Sequence, residues 1–166
     1  MEESPPESSV STETARVRGQ LRRVRVVAVL LAVGAVVPWS VQVFTARDAT
    51  WLFAWGLVNT NPLQVTTLVD FLFVYTQGLP AFILAWPASV VCYLLVLGSA
   101  LLGLWIDWED PRVTAGLLVL AGIAQLSVAQ GFSYQPNRTA YPLGTAVLWA
   151  VAWWGYWPRV KNRIGW

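Results

Sequence analysis

Residues 79–106, LPAFILAWPASVVCYLLVLGSALLGLWI, carry no charged side chain. Roughly 20 apolar residues in a helix cross a hydrocarbon core about 30 Å thick, so a run of this length leaves few folds open. Pro80 and Pro87 near its start predict a tilt or a kink at the entrance. Three further apolar runs fit the same pattern: Val26 to Phe44, broken by Pro38, Ser40 and Gln42; residues 113–132; and Leu143 to Trp157, which reaches full span length as 141–159. Only 12% of the residues are charged, against about 25% in an average soluble domain. The expected fold is all-α: a polytopic membrane bundle of four transmembrane helices, about 26–44, 79–106, 113–132 and 141–159, in one domain over residues 26–160.

The flanks differ in charge. Met1 to Ala15 holds Glu2, Glu3, Glu7 and Glu13, two prolines and no basic residue, and reads as a disordered acidic tail. Residues 16–25 form a basic juxtamembrane segment with Arg16, Arg18, Arg22, Arg23 and Arg25. These arginines orient the first span and attract anionic headgroups, at about 1 kcal/mol per residue near the surface. A cleaved signal peptide is disfavoured because no small-x-small site follows the run. The residues around Arg22 and Arg23 do not complete a twin-arginine motif. Residues 161–166 are a short C-terminal tail.

Between the first two runs, Asn61 and Pro62 suit the N-cap and first position of a helix. At 100° per residue, Val65, Leu68, Phe71, Leu72 and Tyr75 share one side, and Thr66, Thr67, Asp70 and Gln77 the other. Such a two-faced helix suits the membrane surface, and it is expected as one interfacial helix in the first outer loop. Charge supports four spans rather than five. With the N-terminus inside, the five tail arginines, Arg112, Arg159, Lys161 and Arg163 lie inside, and Arg47 and Arg138 outside. That is the positive-inside asymmetry of a multi-pass cell-membrane protein with both termini cytoplasmic.

The chain contains no histidine, which excludes imidazole acid–base catalysis, a Ser-His-Asp triad and histidine metal ligation. The single cysteine, Cys92, permits neither an internal disulfide nor a multi-cysteine zinc site; its apolar setting reads as an inert packing thiol. No cofactor, metal or nucleic acid is expected. Of eleven tryptophans, Trp39, Trp51, Trp55, Trp105, Trp108, Trp157 and Trp166 fall near span ends, as interfacial anchors do. Trp149, Trp153 and Trp154 lie within the fourth span and read as packing residues, with an aromatic wall for a lipid chain as the alternative. Gln125 shares a helix face with Gly122 and Ala129 and reads as interhelical glue, while Gln130 points elsewhere. Ionisable side chains are missing from the span centres, which disfavours ion or proton transport. The acidic residues of 107–112, DWEDPR, read as a solvated turn ended by Pro111.

The outer face gathers Arg47, Asp48, Asn59, Asn61, Asp70, Tyr134, Asn137 and Arg138. A carboxylate at Asp70 beside Arg47 or Arg138 reads first as a structural ion pair or as solvated charge. Its functional alternative is a small polar site that recognises a headgroup or a peptide. Asn137-Arg138-Thr139 matches the N-glycosylation pattern, but its closeness to the membrane argues against modification.

Residues 37–42 (VPWSVQ), 53–60 (FAWGLVNT), 70–76 (DFLFVYT), 79–80 (LP), 113–122 (VTAGLLVLAG) and 152–158 (AWWGYWP) resemble a haloarchaeal membrane-protein family named for its gene neighbourhood with archaeosortase A. The resemblance covers about residues 26–158 and implies a plasma-membrane protein without an assigned activity. Sortase-like enzymes rely on cysteine, arginine and histidine, so a chain without histidine resembles the neighbour and not the enzyme. The expectation is a non-enzymatic integral membrane protein with no catalytic residue. It would act as an accessory factor in cell-surface protein maturation or lipid anchoring, in contact with membrane lipids and another membrane protein of that pathway. The alternative is a small membrane enzyme acting on a lipid or lipid-anchored peptide through Asp70 with Arg47 or Arg138.

Overall fold

The computed structural model describes residues 7–45, 48–74 and 78–164. Residues 1–6, Arg47, Tyr75, Gln77 and Trp166 lie outside the described residues, as does the side chain of Arg163. The architecture is mixed α/β, not all-α: a five-stranded antiparallel sheet sits at one end of a helical bundle.

Helix α1 (Glu7–Ala35) starts inside the stretch expected to be a disordered tail. Glu13 stands three residues before Arg16, a spacing that supports a helix. The apolar run that follows was expected to be one span and instead divides. Proline lacks an N–H and clashes with the carbonyl four residues back, so α1 stops short of Pro38, and strand β1 (Ser40–Phe44) begins after it. The SVQVF pattern of β1 has a period of two. Hydropathy hides that period, because the short strand sits inside a longer apolar run.

The expected interfacial helix over residues 62–77 is also replaced. Strands β2 (Ala49–Leu52), β3 (Gly56–Thr60) and β4 (Leu63–Thr67) form a meander with β1. Asn61 and Pro62 are the tip of the β3–β4 hairpin, joined by a cis peptide bond. The β-branched residues Val65, Thr66 and Thr67 favour the pleated strand. Among the described residues of this stretch, helical structure is limited to the six residues of α2 (Leu68–Phe73), where Thr67 is the N-cap and its hydroxyl accepts from the Asp70 N–H at 3.1 Å.

Helices α3 (Ala81–Trp105) and α4 (Pro111–Ser133) form an antiparallel hairpin. Asp110 caps α4 by accepting the Arg112 N–H at 2.9 Å, with Pro111 at the first helical position. Two polar contacts clasp the pair: Gln125 donates to Ser89 at 2.8 Å, and the Ser99 and Thr114 hydroxyls meet at 2.8 Å. Among the described residues these are the two helices long and apolar enough to cross a membrane, not four. Strand β5 (Arg138–Tyr141) takes the place of the expected start of a fourth span. The chain then runs through α5 (Leu143–Val151), a π-helical turn (Ala152–Tyr156) and α6 (Trp157–Ile164), whose Arg159 and Lys161 interrupt the apolar pattern.

The sheet order is β4-β3-β2-β1-β5, so the last strand returns beside the first. Gly144 lets α5 start against the sheet: a Cβ there would stand 2.8 Å from the Trp39 carbonyl oxygen and 2.9 Å from its Cα. The Gly144 N–H donates to that same oxygen at 2.6 Å. Trp39, expected as an interfacial anchor, is fully buried, with its indole N–H donating to Val33 at 3.3 Å and its ring edge-on to Tyr93.

At the opposite end the acidic α3–α4 loop is exposed at Asp107, Trp108 and Asp110, as expected of a solvated turn, but its Glu109 side chain turns inward. Asp107 pairs with Arg23 of α1, and Glu109, 5% exposed, pairs with Arg159 of α6 at 2.8 Å. Arg23 also donates to the Gly103 carbonyl. The loop thereby ties three helices together at the basic end of the bundle.

Candidate functional site

Antiparallel register fixes which side chains share a face of the sheet, because directly opposed residues point the same way. Gln42 opposes Thr50, Thr50 opposes Asn59, and Asn59 opposes Gln64. Four polar side chains therefore form one row across β1, β2, β3 and β4. Beside them, Phe44 opposes Arg138 on β5. The neighbouring row on the same face, Leu52 and Leu57, is apolar and buried.

This face turns inward, toward the bundle. Below it lies a cavity of about 550 Å³, floored by Phe71 of α2, Ile83 and Trp86 of α3, and Val128 and Phe132 of α4. The volume suits a small molecule or part of a lipid. The floor is held firmly. Trp86 is 1% exposed, donates its indole N–H to the Phe53 carbonyl at 3.1 Å, and packs against Phe71 with ring centroids 5.5 Å apart.

In the polar roof, Thr50 donates to the Asn59 side-chain oxygen at 2.7 Å. Gln42 is 3% exposed overall and lines the cavity. Arg138 lays its guanidinium over the Phe44 ring, 4.9 Å from the centroid, an arrangement that favours the cation. Among the described residues it pairs with no carboxylate. Among the described residues the lining holds no acidic side chain, thiol or amine. Its chemistry is that of hydrogen-bonding groups and one cation above an apolar floor.

The residues expected on the outer face are dispersed. Asp70 completes a capping box: its carboxylate accepts from the Thr67 hydroxyl at 2.8 Å while Thr67 accepts the Asp70 N–H. It does not line the cavity and forms no ion pair with Arg138. Asp48 accepts from Asn61 at 3.1 Å across the hairpin. Asn137 takes a positive φ of 64° in the turn before β5, and its carbonyl accepts from the Thr45 backbone at 3.2 Å. Tyr134 is exposed. Of the described members of the expected set, the structure brings Asn59 and Arg138 together around the cavity and leaves Asp48, Asn61, Asp70, Tyr134 and Asn137 outside it; Arg47 lies outside the described residues.

Gln42, Thr50, Gln64 and Gln135 were missed in the sequence. Alternation in SVQVF was the available signal for Gln42, and only the strand register assembles the rest. Cys92 is half-buried and lies away from the cavity. A family model described as a domain of unknown function, DUF8050, matches residues 5–165. No curated protein matches the chain.

Proposed function

Because the chain belongs to the DUF8050 family, whose description assigns no activity, we propose its function from the geometry: a membrane-embedded accessory protein that binds rather than converts its ligand. One observation carries the membrane reading. The most apolar stretch of α3 is only 22% buried and that of α4 only 39%, whereas the core helix of a water-soluble protein hides most of its apolar surface. Leu84, Val91, Leu94, Leu95 and Leu102 of α3 all face outward, and lipid is the solvent that suits them. At 1.5 Å per residue, α3 and α4 are roughly 35 Å long, enough for a hydrocarbon core of about 30 Å.

Charge supports one orientation. Arg22, Arg23 and Arg159 hold the end of the bundle where the α3–α4 loop lies, and Arg138 lies at the sheet end. The positive-inside tendency then puts the basic end and both termini in the cytoplasm and the sheet outside. The accessory role rests on the sequence resemblance to the haloarchaeal family and on the sheet's outward face, where Trp51 and Val65 are exposed. That face supports contact with another membrane protein of the surface-protein processing pathway. The cavity, whose described lining residues include no acidic side chain, supports binding over catalysis.

The test is cysteine labelling in intact cells, on a Cys92→Ala background. Leu63→Cys at the hairpin tip is expected to react with a membrane-impermeant maleimide, and Gly19→Cys on α1 only after lysis. The reverse pattern, or release of the protein by alkaline carbonate, would sink the membrane reading. Deletion of the gene is expected to leave surface proteins unprocessed, and normal processing in the deletion strain would remove the accessory role.

A further inference from the structure

We propose that the cavity between the sheet and the bundle is a binding site for an anionic amphiphile, with its phosphate oxyanion at Arg138 and Gln42 and its apolar chain against Trp86 and Phe132. The inference rests on the membrane reading above, and it names the ligand class of the same site.

Three features point to that chemistry. Arg138 supplies a cation with no carboxylate partner among the described residues, and a guanidinium presents paired donors that match two phosphate oxygens. Gln42 lines the cavity, where its carboxamide N–H can donate to a second oxyanion oxygen beside the guanidinium. Among the described residues no acidic side chain lines the cavity to repel an anion. The floor explains why the ligand carries a chain. Ile83, Trp86, Val128 and Phe132 are each at most 9% exposed, and they offer a free inorganic anion nothing but desolvation.

Position agrees with chemistry. The floor residues come from the start of α3 and the end of α4, the level at which a spanning hairpin meets lipid headgroups. A phosphate at Arg138 and a chain beside Trp86 reproduce the vertical order of a lipid in that leaflet.

The experiment uses the full chain in a neutral detergent, titrated with dioctanoyl phosphatidic acid, dioctanoylglycerol and inorganic phosphate and read by native mass spectrometry. Phosphatidic acid is expected to bind saturably, with dioctanoylglycerol at least about tenfold weaker, the scale of one lost charge-assisted hydrogen bond. Arg138→Gln and Gln42→Leu are each expected to weaken phosphatidic acid binding about tenfold without lowering the unfolding temperature. Val128→Phe, which fills the floor and leaves the roof intact, is expected to weaken it as well. Equal binding of the two lipids, or wild-type affinity in Arg138→Gln, would overturn the proposal. So would inorganic phosphate binding as tightly as phosphatidic acid, which would mark a free-anion site. Resistance of the same protein to alkaline carbonate separates the two levels: a retained protein that fails to bind lipid loses this site alone, and a released one loses the membrane reading.

Discussion

Removing Arg159 takes the only salt-bridge partner from a buried carboxylate and leaves it beside the Tyr156 hydroxyl alone, among the described residues. Glu109 is 5% exposed, its Oε2 bonds to Arg159 at 2.8 Å, and its Oε1 has no partner. Breaking a buried pair by deleting one member costs about 3–5 kcal/mol. The Arg159 side chain is 20% exposed, so solvent screening sets the lower end, about 3 kcal/mol. For a chain of this size each kcal/mol moves Tm by about 2–4 °C. Arg159→Ala is therefore expected to lower Tm by roughly 6–12 °C, measured by far-UV circular dichroism in mild detergent. Glu109→Gln is expected to cost less, about 1–2 kcal/mol, because the arginine left behind still reaches water and still has an oxygen to donate to. The double variant Glu109→Gln, Arg159→Met is expected to recover most of the loss, since no uncompensated charge remains. A drop below about 3 °C for Arg159→Ala, or a double variant less stable than Arg159→Ala, would refute the argument that the burial of Glu109 sets the cost.

Other sites yield smaller or more local effects. Gly144→Ala pushes a methyl against the Trp39 backbone, which cannot rotate away, and is expected to cost about 2–3 kcal/mol, read as a lower unfolding temperature. Thr67→Ala removes the cap of α2 and is expected to cost about 1 kcal/mol, with faster amide exchange confined to residues 68–73. Asp70→Asn keeps the reciprocal hydrogen bonds and is expected to leave stability and complementation of a deletion strain unchanged; loss of complementation in a well-expressed variant would revive a chemical role for this carboxylate. Ser89→Ala strands the buried Gln125 amide, whereas Ser89→Ala with Gln125→Leu removes both partners. The double variant is expected to be more stable than the single by about 0.6–2 kcal/mol, tested by a double-mutant cycle on unfolding temperature.

The hairpin of α3 and α4 was legible because its signal is local, two long apolar runs; Asp110-Pro111, read as the end of a turn, is the start of α4. The basic clusters likewise lie at one end of the bundle. Residues 36–67 were not legible, because short strands set in or beside a long apolar run have the same mean hydropathy as an apolar helix. Pro38 was the one local mark that the first run divides, and the Asn61-Pro62 pair that reads as a helix start is a hairpin tip. Part of the outer-face set survives in the cavity: Asn59 and Arg138 were visible as exposed polar residues near one end of the spans. Gln42 was not, since it looked like an interruption of a membrane helix. Its meaning depends on β5 and β2 lying on either side of β1, a relation that no local window contains.

The return of β5 to the side of β1 also sets an order of events at the ribosome. About 90 residues separate the two strands, so at about 5–20 residues per second the free edge of β1 waits on the order of 5–20 s for its partner. During that interval Val41 and Val43 present unpaired backbone groups, the kind of edge on which strands from other chains add. A nascent or truncated chain that ends before Arg138 keeps that edge permanently. The final strand is thus a seal applied only after the whole helical hairpin has been made, and an unsealed sheet marks an unfinished molecule for quality-control proteases.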